Sequence, residues 1–329
     1  MIIVRITSGL GNQMYQYNFY RYLERLYPDT VVKADTTWLY QHDSHHGYEL
    51  KKIFPNMRSG KYAMDETTVL DELKVTGLVP NRFRSAKLAR KWVALVRPVN
   101  VLLKRTVSKN KIRNMLDDST GEIAAKTVTL ADGSCVDGMY DLISNLDPKK
   151  DYCIVAYWTS ERYYGDRIDE LKEEFAFDEP CDEENQRLLK QIDSENSVSI
   201  HIRRGDYLAA EYGGKFKLLG QEYYHRAIEY IRETVPNPRF YVFSDDTECA
   251  KNIMDGIDNT VFVTNNTGAN SFRDMQLMSR CKHNIIANST FSQWAGILNK
   301  NEGRLVIYPK DYMNGEDTEV KKAKGWVRL

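Results

Sequence analysis

Hydrophobic positions recur along this chain in two rhythms, and the alternation between them predicts the fold. Ile2 to Ile6 is a short apolar run closed by Ser8-Gly9-Leu10-Gly11-Asn12-Gln13. Beyond that turn Tyr15, Phe19, Tyr22 and Leu26 recur at helical spacing on one face. Pro28 closes the helical stretch, and Val31-Val32-Lys33-Ala34-Asp35 reads as a second strand. The chain therefore opens β-α-β, the unit that builds parallel sheets.

The same rhythm returns more regularly from Ser197. A strand through Val198, Ile200 and Ile202 runs into Arg203-Arg204-Gly205-Asp206, and a helix follows with Tyr224, Ile228, Ile231 and Val235 on one face. Then come an apolar run Arg239 to Phe243, a helix near Glu248 to Met254, a strand Val261 to Val263 and a helix Ser271 to Lys282. Strand Asn284 to Ala287, helix Phe291 to Leu298 and strand Leu305 to Tyr308 complete the series. Such alternation with short connections predicts a doubly wound parallel sheet. We read an α/β protein of two Rossmann-like domains, residues 1–195 and 196–329, with a ligand cleft expected between them.

Composition narrows the function. The 329 residues carry 46 Lys+Arg against 46 Asp+Glu, a formal charge of zero that excludes a broadly basic nucleic-acid binder. No apolar run approaches the roughly 18 to 20 residues of a membrane span, and the N-terminus lacks a signal-peptide core, so a cytoplasmic protein is expected. The five cysteines are odd in number and without CxxC spacing, which indicates neither a disulfide framework nor a zinc site. Sequons at Asn265 and Asn288 read as coincidental.

The zero is nevertheless a sum of unlike parts. Between Glu72 and Asp117 there are twelve basic residues and no acidic one, which leaves the remainder at −12. The basic segment 82–113 has an apolar stripe at Leu88, Trp92, Leu95, Val99 and Leu102, interrupted by Pro98. Such a stripe suits either a membrane-surface helix or a solvated helix packed on its own domain.

Candidate chemistry gathers at five strand ends. Gly9-Leu10-Gly11-Asn12-Gln13-Met14 sits at the first strand-to-helix turn, where glycines admit a ligand to the backbone, but Met14 replaces the third glycine of a dinucleotide fingerprint. Asp35 ends the second strand where a ribose-binding acid would belong. His201-Ile202-Arg203-Arg204-Gly205-Asp206 places two guanidinium groups at the carboxyl end of a parallel strand, a geometry suited to phosphate; a salt bridge between Arg204 and Asp206 is the plainer reading. Asn288-Ser289-Thr290-Phe291-Ser292-Gln293-Trp294 opens a helix and reads as an anion site or simply as an N-cap. Phe243-Ser244-Asp245-Asp246 ends a strand at the same rim, and Asp274 on the next helix could accept from a base N–H pair or be a solvated helix charge. There is no Asp-x-Asp pair, P-loop or zincin motif, so no metal is implied. His42, His45 and His46 lack companion ligands at metal spacing.

Taken together, Gly9 to Tyr17, His46-Gly47-Tyr48-Glu49-Leu50, Tyr157-Trp158-Thr159-Ser160-Glu161, His201 to Tyr207, Phe243 to Asp246 and Arg273 to Trp294 closely resemble bacterial α1,2-fucosyltransferases of glycosyltransferase family 11. The motifs run in family order across nearly the whole chain. The resemblance implies a GT-B-type fold and inverting, metal-free transfer of L-fucose from GDP-β-L-fucose to the 2-hydroxyl of a galactoside, without a cofactor. It implies that Arg203 contacts the β-phosphate and leaving oxygen, that Arg204 and Asp245 support donor binding, and that Asp274 holds guanine. Ser289, Thr290 and Ser292 would bind phosphate, and Gly11 and Asn12 would reach the donor from the first domain. His46, Tyr48 and Trp158 are acceptor-side candidates. The chain has Phe291-Ser292-Gln293-Trp294-Ala295 where the family commonly has F-S-W-W-A.

The catalytic base is assigned to Asp206, with Glu211 as the alternative, because both follow the arginines. The expected partners are GDP-fucose and a galactose-terminated surface oligosaccharide such as O-antigen, free or lipid-linked, with peripheral contact of the basic segment at the inner membrane face and no nucleic acid. Two other classes compete: a nucleotide-dependent oxidoreductase using the Gly9–Gly11 turn and Asp35, and a non-catalytic carbohydrate-binding protein supported by 21 tyrosines and five tryptophans.

Overall fold

The apolar N-terminal run forms β1 (Ile2–Arg5), buried along its whole length. A parallel strand reads as continuously apolar when both of its faces are covered. The computed structural model, which describes residues 1–41, 46–68, 70–71, 84–92, 128–131, 137–147, 150–205, 207, 216–311 and 325–329, supplies those covers. The chain divides into two units, Met1–Tyr48 with Ala63–Thr159, and Glu49–Tyr62 with Ser160–Leu329.

In the first unit, helix α1 (Leu10–Leu26) follows β1 and precedes β2 (Val32–Asp35). Further on, β3 (Val128–Ala131), α2 (Asp137–Ser144) and β4 (Tyr152–Val155) complete an all-parallel sheet in the order β2-β1-β4-β3. The predicted β-α-β opening is present. β3 and β4 have no counterpart among the predicted elements.

The second unit begins with α3 (Ile168–Glu174) and α4 (Glu183–Ser194), ahead of the sheet. Its strands are β5 (Ser197–Ile202), β6 (Arg239–Ser244), β7 (Thr260–Val263), β8 (His283–Ile285), β9 (Val306–Tyr308) and β10 (Val327–Arg328). The crossovers are α5 (Gln221–Thr234), α6 (Thr247–Ile253), α7 (Phe272–Arg280) and α8 (Thr290–Leu298). All pairings are parallel in the order β10-β9-β8-β5-β6-β7. Read from the other edge, this is the doubly wound Rossmann order, with β5 as its first strand.

The expected boundary at 195/196 marks the start of β5, but the contacts divide the chain at Thr159/Ser160. The reason is packing. Phe175, just after α3, meets Trp294 of α8 edge-on at 5.1 Å, and Asn185 of α4 bonds Asn266 beyond β7 at 2.8 Å.

β5 alternates Ser-Val-Ser-Ile-His-Ile, a pattern that suggests one wet face, yet all six residues are buried. Val198, Ile200 and Ile202 join Tyr224, Ala227, Ile228 and Ile231 of α5 in one core. The opposite face is a polar seam. Ser197 Oγ donates to Ile192 O at 2.8 Å, Asn284 Nδ2 donates to Ser199 Oγ at 2.7 Å, and Asn299 Nδ2 donates to Asn284 Oδ1 at 2.8 Å.

α8 lies close on the sheet because Gly296 has no side chain. A Cβ there would meet Val306 Cγ1 at 3.0 Å and two ring carbons of Trp326 at 3.1 Å. Gly296→Leu should therefore destabilise the protein by about 1–3 kcal/mol through overpacking. An unchanged denaturation midpoint would contradict this packing.

Candidate functional site

The direction of winding reverses between β5 and β8, and in open α/β sheets the crevice beyond the carboxyl ends of such strands binds ligands. Four loops meet this rim. The first is organised by Asp245, directly after β6. Its Oδ1 accepts from the Arg204 backbone N–H at 2.8 Å, and its Oδ2 pairs with Arg203 Nη1 at 2.8 Å. Both side chains keep about a quarter of their surface open, 27% for Arg203 and 24% for Asp245. The approach is so close that a Cβ on Gly205 would stand 2.6 Å from Asp245 Oδ2. Glycine is needed here for approach, not for a left-handed backbone.

Arg204 turns its Nε toward Cys249 Sγ at 2.9 Å. The Tyr207 phenol donates to Asn288 O at 2.7 Å and its ring stacks on Phe216 at 4.4 Å, which ties the loop after β5 to the loop after β8. Behind the arginines, burial and then the Arg203 charge push the His201 imidazole down to about 4, so it is neutral at physiological pH. The positive charge at this rim belongs to Arg203 and Arg204.

Across the switch point, Ser289 caps α8 by accepting from the Phe291 N–H at 3.3 Å. The half-exposed Thr290 hydroxyl has no partner among the described residues. Ser292 differs from expectation. It is fully buried, accepting from the Ala287 N–H at 3.2 Å and donating to Ser289 O at 3.3 Å, so it shapes the loop from behind and cannot touch phosphate. Asp245 also differs, since its carboxylate holds the two arginines.

At the far end of the rim stands Asp274, in the first turn of α7. Asn266 Nδ2 donates to its Oδ1 at 2.9 Å, which favours the carboxylate, but burial is the larger effect and pushes the group up to about 7.

The Gly-Leu-Gly turn of the first unit stands by itself. Ser8 there adopts φ 65°. Gln13 and Gln16, both buried, hold the turn: Gln13 Nε2 donates to Ser8 O and Gly47 O at 2.8 Å each, and Gln16 Oε1 accepts from the Thr7 N–H at 2.8 Å. Gly11 is buried, while Asn12 is half-exposed and its side-chain amide has no partner among the described residues. Asp35 is committed elsewhere: its Oδ2 pairs with Arg5 Nε at 2.9 Å and its Oδ1 accepts from the Thr37 N–H at 2.9 Å, inside the core. Met14 is wholly buried. The oxidoreductase reading loses its ribose acid.

Two of the acceptor-side residues are core. Trp158 is fully buried and stacked on Phe19 at 3.8 Å and 5°, and Tyr48 is buried, which raises its phenol pKa. His46 is exposed. Missed by sequence reasoning was Tyr157, 44% exposed with its OH 3.3 Å from Ser8 Oγ. Its position in an alternating Val-Ala-Tyr-Trp stretch was the available signal, but it does not say which aromatic faces out. Asp206, Glu211, His42 and His45 lie outside the described residues. So does most of the basic segment; within 84–92, Leu88 of the expected stripe is 59% exposed while Ala89 is buried. Among the described residues no helix is long and apolar enough to cross a membrane, and no three His, Cys, Asp or Glu converge on a metal-sized site.

With this geometry established, the comparisons identify the class. The two Rossmann-like units are of the GT-B type, and the selenomethionine crystal structure of the fucosyltransferase NodZ from Bradyrhizobium shares the fold, with a TM-score of 0.50 at 13% identity over 90% of this chain and 91% of that one. The model of glycosyl transferase family 11 matches residues 1–329, and the chain belongs to that family. It is a glycosyltransferase. Among its relatives, the O-antigen biosynthesis glycosyltransferase WbnK of Escherichia coli is 27% identical over 98% of this chain and 99% of its own length. An alpha-1,2-colitosyltransferase of Escherichia coli is also 27% identical, over 100% and 99%.

If Trp158 is core, Trp158→Ala should lower stability by about 3–5 kcal/mol. The check is chemical denaturation beside acceptor kinetics: a raised acceptor KM with unchanged stability would restore it to the acceptor side.

Proposed function

We propose that this glycosyltransferase moves L-fucose from GDP-β-L-fucose to the 2-hydroxyl of a galactoside in a bacterial surface glycan such as O-antigen. The observation that carries the reading is the Arg203–Asp245–Arg204 arrangement at the switch point of the second sheet. Two arginines at the end of β5, on a loop tied through Tyr207 to the loop that opens α8, suit a diphosphate that gains charge as it leaves. The family match and the α1,2-transferring relative support the linkage.

In this mechanism the acceptor oxygen bonds to the anomeric carbon as the carbon–phosphate-oxygen bond breaks. GDP leaves with the bonding pair, the acceptor proton passes to a base, and the configuration inverts from β to α. Arg203 stabilises the departing β-phosphate oxygen, Arg204 supports it, and Ser289 and Thr290 with the start of α8 hold phosphate. Asp274 takes the guanine N–H pair. Gly11 and Asn12 are assigned to the donor from the first unit, and Asp206, then Glu211, to the base, on sequence order alone. No metal or cofactor enters the scheme. We place the enzyme in the cytoplasm, peripheral to the inner membrane where a lipid-linked acceptor is presented.

The test combines GDP-fucose, a nucleotide-activated colitose and a panel of β-galactosides, with GDP release as readout. Fucose transfer to the 2-hydroxyl, undiminished by a chelator, is expected; transfer of colitose alone would replace the donor. Arg203→Ala should keep the fold and lose at least about 100-fold in rate. Near-normal transfer by that folded variant would remove Arg203 from the chemistry.

A further inference from the structure

Behind Asp274 lies a hydrogen-bonded chain that the scheme above does not use. Asp182 caps α4, its Oδ1 accepting from the Asn185 N–H at 2.8 Å and its Oδ2 from Asn185 Nδ2 at 3.0 Å. Asn185 and Asn266, both buried, exchange amide bonds: Asn185 Nδ2 donates to Asn266 Oδ1 at 2.8 Å, and Asn266 Nδ2 donates to Asn185 Oδ1 at 3.0 Å. Asn265 Nδ2 adds bonds to both oxygens, at 3.1 and 3.3 Å. The second Asn266 N–H reaches Asp274 Oδ1 at 2.9 Å.

Each of the two buried amides thus makes two donations and two acceptances, the full capacity of the group. Neither can be flipped, because each end of the chain is a carboxylate, which accepts and cannot donate when ionised. Amide nitrogens must point outward to Asp182 and Asp274, and the oxygens must point inward. Among the described residues Asn266 is the only hydrogen-bonding partner of the Asp274 carboxylate, and it occupies one oxygen. Three segments distant in sequence, the start of α4, the loop after β7 and the first turn of α7, contribute to this arrangement.

We propose that Asn185 and Asn266 are positioning residues for nucleobase recognition, a relay anchored on Asp182 that fixes the Asp274 carboxylate and leaves its Oδ2 to N–H donors of the base. This rests on the guanine role given to Asp274 above. The relay also favours the ionised form, which a base with two adjacent N–H groups requires. Of the charged groups on the packed elements, Asp182 acts on Asp274 only through the two amides. Arg273 is turned to Asp178 O and Gln276 Oε1, and Glu183 and Glu184 are exposed on α4.

The experiment is calorimetric titration with GDP from pH 5.5 to 9 on the full chain, comparing wild type with Asp274→Asn, Asn266→Ala and Asp182→Asn. Asp274→Asn supplies the titration of GDP's own phosphate as background. Relative to it, wild-type affinity should fall as pH drops below about 7, where Asp274 takes up its proton. Asn266→Ala should move that midpoint up by about one unit, making GDP about fivefold weaker at pH 7 and about tenfold weaker at pH 5.5, yet nearly as strong as wild type at pH 9. A loss by the same factor at every pH would mean mere packing and would overturn the proposal.

Should Asn266→Ala fail to fold, Asp182→Asn carries the test, since asparagine still caps the helix but can donate, freeing the amides to flip. An upward midpoint supports the relay, and an unmoved one overturns it. If Asp274→Asn binds GDP with the wild-type strength and profile, the guanine assignment itself falls. If it binds GDP more weakly and without the fall below pH 7 while the other two variants leave the profile unmoved, the relay alone falls.

Discussion

The carboxylate of Asp245 is the fixed point of the second unit's rim. It accepts the Arg204 N–H and pairs with the Arg203 guanidinium, and it comes within 2.6 Å of where a Gly205 side chain would begin. Partly exposed ion pairs contribute little to stability. The value of this one is geometric, because it fixes the Arg203 guanidinium and, through the Arg204 N–H, the backbone of the loop that carries both cations. Arginine reaching a leaving phosphate from a loop free to move would have to be ordered anew in each turnover.

That placement depends in turn on a buried polar seam. The three residues of β5 that face away from α5 are Ser197, Ser199 and His201, and each needs an explanation in a strand without a wet face. Ser197 and Ser199 are answered by backbone and by Asn284 and Asn299, which link β5 to β8 across the switch point. A polar core costs more than an apolar one unless fully bonded. What it secures here is the register between the two strands whose loops must face each other.

Sequence patterning made the element order of the second unit legible almost throughout, because its strands and helices alternate in short, strongly periodic pieces. The same patterning failed where periodicity is silent on direction. Alternation in β5 does not distinguish a wet face from a buried polar seam; Trp158 and Tyr157 are neighbours in one motif, yet Trp158 stacks inside on Phe19 while Tyr157 stands out. The arginines, Asp274, Ser289 and Thr290 were legible because strand ends and helix starts predict their location. The burial of Ser292 and the commitment of Asp35 to Arg5 were not, since both depend on partners distant in the fold.

The two ends of the rim differ in kind, and the difference bears on what each end can do. Guanidinium keeps its charge at any physiological pH, so the Arg203–Arg204 end offers a constant attraction to phosphate. Asp274 sits near neutrality, with burial opposing its charge and one amide favouring it. A group poised this way is about half ionised at pH 7, so on the proposed guanine assignment part of the binding energy of a base would go into completing its charge. On the proposed assignment, a ligand with phosphate but without the matching base would engage the permanent end alone, so selectivity would come from the conditional one.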